Sequence, residues 1–249
     1  MSVSRKQFDA FARRNLAIDR AVKRAIDELW DMLDKDDLES LLNDLAIQLP
    51  LVADKFGKAA AMVSAEFYDA SRVAAKAKGM FSATTASGAL WKVDRDVAYA
   101  FSDDFAYNDV KSFLTQSVQG VVRDYGRETI RENCKQDRWS DGYCSVPTSD
   151  NPCAFCIIKA LGSPGGNKRY KGELLDEEVY EDAWHADCKC ILEPIWGESP
   201  NWVEGQYDEY WDMYQAGRTQ AYNDTGKSFT EGLTAKEVLS GMRKANGVS

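Results

Sequence analysis

The chain has 249 residues, 44% hydrophobic and 29% charged, the composition of a globular protein long enough to bury a sizeable core. Thirty-one basic against forty acidic residues leave a net charge of −9. So acidic a surface excludes a general nucleic-acid coat, because phosphate attraction needs a basic one.

One histidine, His185, excludes any mechanism that needs two, and a Ser-His-Asp triad would have to recruit it. No run approaches the roughly 18 apolar residues of a membrane span. The N-terminal segment carries Arg5, Lys6, Arg13 and Arg14 without an apolar stretch. It does not read as a secretory signal, and synthesis in a reducing cytoplasm is expected.

The first 130 or so residues read as helices. Val22, Ile26, Leu29 and Leu33 recur at steps of four, three and four, one helical face. Pro50 is expected to break the chain before a second stripe, Phe56, Ala60, Val63 and Phe67. Residues 82–88 read as a polar loop of small residues. Val110, Leu114, Val118, Val121 and Tyr125 form a third stripe, with Asn108 as its expected N-cap. All three stripes read as core, with no cofactor box.

Charge is uneven along this region. Arg5, Lys6, Arg13, Arg14, Arg20, Lys23 and Arg24 meet only Asp9 and Asp19 before residue 27, whereas residues 27–44 hold eight acidic groups against Lys35. A hairpin whose halves attract each other is expected, which would leave the basic arm little to offer a ligand. The alternative is contact with DNA or an acidic partner.

From Cys134 to Trp196 the helical periodicity is expected to stop, and Gly, Pro, Ser, Asp and aromatic residues dominate. Beyond it Tyr207, Trp211 and Tyr214 share a helical face, and Thr234 with Glu237 has capping-box spacing before Val238, Leu239 and Met242.

The chemistry concentrates in Cys153-Ala-Phe-Cys156 and, after 28 intervening residues, His185-Ala-Asp-Cys188-Lys-Cys190. Two thiols three residues apart converge on one ion when the backbone between them turns. A strand is expected to turn Cys188 and Cys190 apart, making one of them the odd one out. The preferred set is Cys153, Cys156, His185 and Cys188, with Cys190 able to replace either member of the second pair. Five candidates more than fill four positions, so a closed structural Zn2+ site, one per chain, is expected rather than a catalytic one. A redox dithiol would need the CxxC at a helix start in a βαβ setting, and no such setting is expected here. Cys134 and Cys144 read as thiols outside the motif.

The expected fold class is mainly α: a helical N-terminal region with a small zinc-stabilised α+β C-terminal module. The expected divisions are a helical domain at 1–133, a zinc-binding Cys/His module at 134–197, and a segment with short amphipathic helices at 198–249. The first two are expected to have separate cores.

At these residues the sequence resembles the MuF-like minor head (head morphogenesis) proteins of tailed bacteriophages, of the actinobacterial-phage type. The resemblance is carried by Cys153 to Leu161, by His185-Ala-Asp-Cys188-Lys-Cys190 and by Glu193-Pro194-Ile195-Trp196. Gly126-Arg127-Glu128-Thr129-Ile130 and Arg138-Trp139 also resemble the family's approach to its first cysteine. The insert at 162–184 is longer and more acidic than the family's usual link, and Cys134 and Cys144 are extra to its pattern.

The resemblance implies a minor capsid protein inside the phage head, made in the host cytoplasm and incorporated at or near the portal during assembly. The implied partners are the portal, major capsid and scaffold proteins. Weak DNA contact through the N-terminal basic helix is a further expectation, and no membrane is implied. Relatives also labelled capsid maturation protease supply the alternative function. A Ser-Lys dyad would have to draw on Ser112, Ser117 or Ser140, and no motif places a lysine beside them. No residue is assigned a catalytic role.

Overall fold

The computed structural model describes residues 3–102, 104–105, 109–149, 152–162, 188–197, 201–228 and 230–248, with backbone only at 201, 202 and 204. Among them the chain is mainly helical, in the order α1 (Arg5–Met32), α2 (Leu38–Ala74), α3 (Trp91–Ala100), α4 (Val110–Gln136), β1 (Gly142–Val146), α5 (Ala154–Leu161), β2 (Ile191–Ile195), α6 (Asn201–Thr225) and α7 (Ala235–Asn246).

Pro50 does not break the chain; α2 runs through it for 37 residues. A mid-helix proline costs roughly 3 kcal/mol. The continuous buried face of Leu41, Leu45, Leu49, Ala53 and Ala60 outweighs that cost. The break falls at 33–37 instead, where the Asp37 carboxylate accepts the backbone N–H groups of Glu39 and Ser40, both at 3.1 Å.

Asn108, the expected cap of α4, lies outside the described residues, and Asp109 caps that helix by accepting Ser112 N–H at 3.1 Å. Helical structure does not stop at Cys134 but continues to Gln136. The capping box of Thr234 and Glu237 opens α7 as expected.

The 82–88 loop is present and is tied down by side chains. Asp69 accepts Ala83 N–H, Asn133 accepts Thr84 N–H and Thr129 accepts Ala86 N–H, at 2.9, 2.9 and 3.0 Å. Gly57 and Gly88 both lie against the Tyr125 ring. An added Cβ would stand 2.6 and 2.2 Å from that ring, so no larger residue fits either position without moving it.

The two charge blocks do not fold back on each other. Both Lys6 and Asp31 lie on the one continuous helix α1, so basic and acidic stretches sit end to end. Lys23–Asp27 at 2.6 Å is a local pair across one turn, Arg14 reaches Glu66 on α2, and Arg5 reaches Asp9. Lys6, Arg13, Arg20 and Arg24 are exposed, with no ion pair among the described residues. At 3.6 residues per turn they share the side of α1 opposite Phe8, Val22 and Ile26, and span about 27 Å.

β1 and β2 pair antiparallel, Gly142 opposite Ile195 and Val146 opposite Ile191. The strands are separated in sequence by α5 and the insert, so the ladder brings the two halves of the cysteine motif together.

The core has two large apolar clusters. One joins Val22, Ile26, Leu45, Leu49, Val93, Val97, Leu114 and Val118 between the first four helices. The other joins Phe8, Phe11, Phe67, Tyr68 and Ile130 to Cys144, Ile157, Ile158, Leu192, Tyr207, Tyr214 and Met242. Separate cores are therefore not what the structure shows. The ends of α1, α2 and α4 are part of the core that the cysteine segment packs on.

Two buried carboxyls stand out in this region. Asp137, at the end of α4, receives Arg72 Nε at 2.8 Å, with Tyr68 Oη and Trp196 Nε1 each donating at 3.3 Å. Glu193 on β2 is fully buried opposite Cys144, and neither of its oxygens has a hydrogen-bond partner among the described residues.

Candidate metal centre

β1 ends at Val146, and the chain passes Pro152 to reach the first turn of α5. Cys153 is the N-cap of that helix, and its sulfur accepts the Cys156 N–H at 3.4 Å. A helix N-terminus presents unpaired N–H groups, so the sulfur finds a backbone donor there. The same turn brings Cys153 Sγ within 3.4 Å of Cys156 Sγ.

The second half of the motif enters β2 as Cys188-Lys189-Cys190. Cys188 and Cys190 are buried and Lys189 is exposed. Alternate residues of an extended segment share a face, so the expectation that one of these cysteines turns away is corrected. Cys190 sits beside Cys188 rather than opposite it.

The thiols of Cys156, Cys188 and Cys190 all lie within 4.8 Å of one another, and Cys156 Sγ is 3.6 Å from Cys188 Sγ. With metal–sulfur bonds of roughly 2.3 Å, two ligands of a tetrahedral ion stand about 3.8 Å apart. The buried trio therefore fits a single metal ion, with Cys153 packed against it. His185 lies outside the described residues.

The electrostatics suit thiolates. Hydrogen bonding from Cys156 and Cys190 holds Cys188 well below the usual thiol range, with the Arg127 charge adding to it. The neighbouring sulfurs push Cys156 up, and burial pushes Cys190 up. One thiolate thus leads, and a cation bound among the three sulfurs would draw the others into the charged form.

Arg127 was not singled out by sequence as a site residue. From α4 its guanidinium donates Nη2–H to Cys188 O at 2.6 Å and Nε–H to Cys190 O at 3.1 Å. Arg123, one turn earlier, donates to Cys188 O at 3.4 Å and is anchored on Asp19. The signal was available: Asp124 and Arg127 are an i, i+3 pair among Val121, Val122, Tyr125 and Ile130, an apolar setting that a solvated pair would not occupy.

A family profile described as VG15 protein matches residues 2–217. The chain belongs to the VG15 protein family. That is a phage-associated family, and the match covers the helical half, the thiol cluster and most of α6. No curated protein and no solved structure matches the chain.

The remaining cysteines of this VG15 protein are apart from the cluster. Cys134 and Cys144 are buried and in no disulfide, and burial pushes the Cys134 thiol up to about 12. Cys153 at a helix start is half of a redox-dithiol setting, contrary to expectation. Among the described residues the strands on either side of α5 pair antiparallel and not as a βαβ unit.

The three serines considered for a dyad have other partners. Ser117 donates to Asp96 at 2.6 Å, Ser140 to Gly142 O, and Ser112 receives Gln116. None is hydrogen-bonded to a lysine among the described residues. No helix among them is long and apolar enough to cross a membrane.

Proposed function

We propose that this VG15 protein is a MuF-like minor capsid protein that acts in phage head assembly at or near the portal. In this reading it resides inside the head and holds one structural Zn2+ per chain. The observation that carries it is the convergence of thiols from both sides of a long insert, in a chain of a phage-associated family. Three buried sulfurs and a fourth in contact leave no ligand position for a reacting water, which favours a structural ion over a catalytic one. Cys153 takes the fourth place on the strength of its 3.4 Å contact with Cys156.

The partners in this reading are the portal, major capsid and scaffold proteins. Co-expression of the chain with those three, followed by isolation of heads and mass spectrometry, tests it. The full-length chain should be found in the heads at low copy, with the capsid protein untrimmed by it. Trimming that disappears with a single serine or lysine substitution in this chain would establish the alternative, a capsid maturation protease.

The basic row on α1 adds a contact. Because Lys6, Arg13, Arg20 and Arg24 are not consumed by internal ion pairs among the described residues, the row can neutralise a few phosphates of packaged DNA. Affinity for duplex DNA should be weak and should fall steeply as salt rises. Arg13→Glu with Arg20→Glu should abolish it. Binding that ignores both salt and these charge reversals would remove the contact from the proposal.

A further inference from the structure

We infer that Arg127 is a positioning residue of the metal centre: it fixes the Cys188-Lys189-Cys190 backbone so that both sulfurs face Cys156. The inference rests on the metal reading above.

The guanidinium is buried on α4 and uses each of its nitrogens. Nη2 and Nε bracket the loop by donating to Cys188 O and Cys190 O at 2.6 and 3.1 Å. Nη1 donates to Asp124 Oδ1 at 3.1 Å, and Lys92 Nζ on α3 donates to Asp124 Oδ2 at 2.9 Å. The fork is therefore held from behind by a second helix, so the loop is tied to a rigid anchor.

Carbonyls two residues apart tilt to the same side of an extended segment, and the two nitrogens of a planar fork can reach both. A lysine ammonium is a single point and cannot span them with the same geometry. Holding those carbonyls fixes the backbone of both cysteines, which sets where their sulfurs converge. The guanidinium also places a positive charge against a loop whose sulfurs become anionic when an ion binds. Arg123 contributes less, through one longer contact of 3.4 Å to Cys188 O.

Outer-shell groups of this kind are worth about 10–100-fold in metal affinity. Zinc affinity by chelator competition and the thiolate absorption of the cobalt-loaded protein test the inference. Arg127→Lys keeps the charge and should bind zinc about 10–100-fold more weakly, with a shifted cobalt spectrum and unchanged helical circular dichroism when metal-loaded. Asp124→Asn, which loosens the anchor without touching the loop, should show a smaller change in the same direction. That second variant decides the matter if Arg127→Lys does not fold.

Wild-type affinity together with a wild-type cobalt spectrum, in Arg127→Lys or, failing its folding, in Asp124→Asn, would overturn the positioning role and leave the metal reading standing. A wild-type protein that binds neither zinc nor cobalt would overturn both.

Discussion

Purified protein is expected to carry about one zinc per chain, and Cys156→Ser is expected to lose both the metal and much of the cooperative fold. A structural zinc contributes roughly 10–16 kcal/mol of apparent binding energy, against a total stability of about 5–15 kcal/mol for a typical domain. The loss should not stop at the cysteine segment. Phe8, Phe11, Phe67, Tyr68 and Ile130 share an apolar cluster with Ile157, Leu192 and Tyr207, so the ends of α1, α2 and α4 should loosen with it. The cluster around Val22, Ile26, Leu49, Val93 and Val118 is separate and should keep residual helix.

Elemental analysis with thermal melting followed by circular dichroism reads both effects. Cys153→Ser, Cys188→Ser and Cys190→Ser should each lose the ion, whereas His185→Ala should retain it. If His185→Ala loses the metal and Cys153→Ser keeps it, the fourth position belongs to the histidine. A metal-free wild type that melts at the same temperature as the loaded one would remove the site.

Stability should also fall on both sides of a pH optimum, through two different carboxyls. Burial alone would push Asp137 up, but hydrogen bonds from Arg72, Trp139 and Trp196 and the Arg72 charge hold it below its usual 3.8. A carboxylate depressed in the folded state contributes stability that is fully present above its unfolded value and is lost as pH falls through the folded one. Asp137 therefore contributes, as a buried carboxylate, to the acid limb. Arg72→Met, which strands this buried carboxylate, should cost about 3–5 kcal/mol near neutrality.

Glu193 acts in the opposite sense, because burial pushes it well above its usual 4.5. Its neutral form is favoured by the fold, so its own contribution to stability is fullest below about 4.5 and declines as pH rises toward its folded value. Glu193→Gln should flatten this alkaline limb, and Glu193→Leu should in addition stabilise by about 1–3 kcal/mol by removing a buried carboxyl that has no hydrogen-bond partner among the described residues. Urea unfolding from pH 3 to pH 9 checks the profile. An alkaline limb that persists in Glu193→Gln, or an Arg72→Met protein as stable as wild type, would contradict it.

What the sequence could disclose follows from where each signal resides. The stripes in α1, α2 and α4 were legible because each buries one face, and the clustering of Cys156 with Cys188 and Cys190 was legible because closely spaced thiols in two short motifs point to one shared site. α3 was missed: it has only Val93, Val97 and Ala100 buried and no side-chain cap at Leu90. The passage of α2 through Pro50 was missed because propensity is local, whereas the buried face that overrides it is tertiary. The shared core was missed for a related reason. Phe8, Phe67 and Ile130 look like ordinary stripe residues until the partner across the contact is known. Arg127 belongs to the Gly126–Ile130 segment that carries the family resemblance, but nothing in the sequence says that its fork meets two carbonyls some sixty residues away.

The placement of the thiols also bears on how this chain can change over time. Cys156 and Cys188 meet although 32 positions separate them, so an ion between them closes a ring containing the whole insert. The entropy of closing such a ring rises only logarithmically with its length, and doubling the length costs about 0.6 kcal/mol. By this entropy, lengthening or shortening the insert should cost little, whereas a slip in the few residues flanking each thiol should separate the sulfurs. Length variation should accumulate between α5 and Cys188, and a reporter domain grafted there should be accepted with the ion still bound.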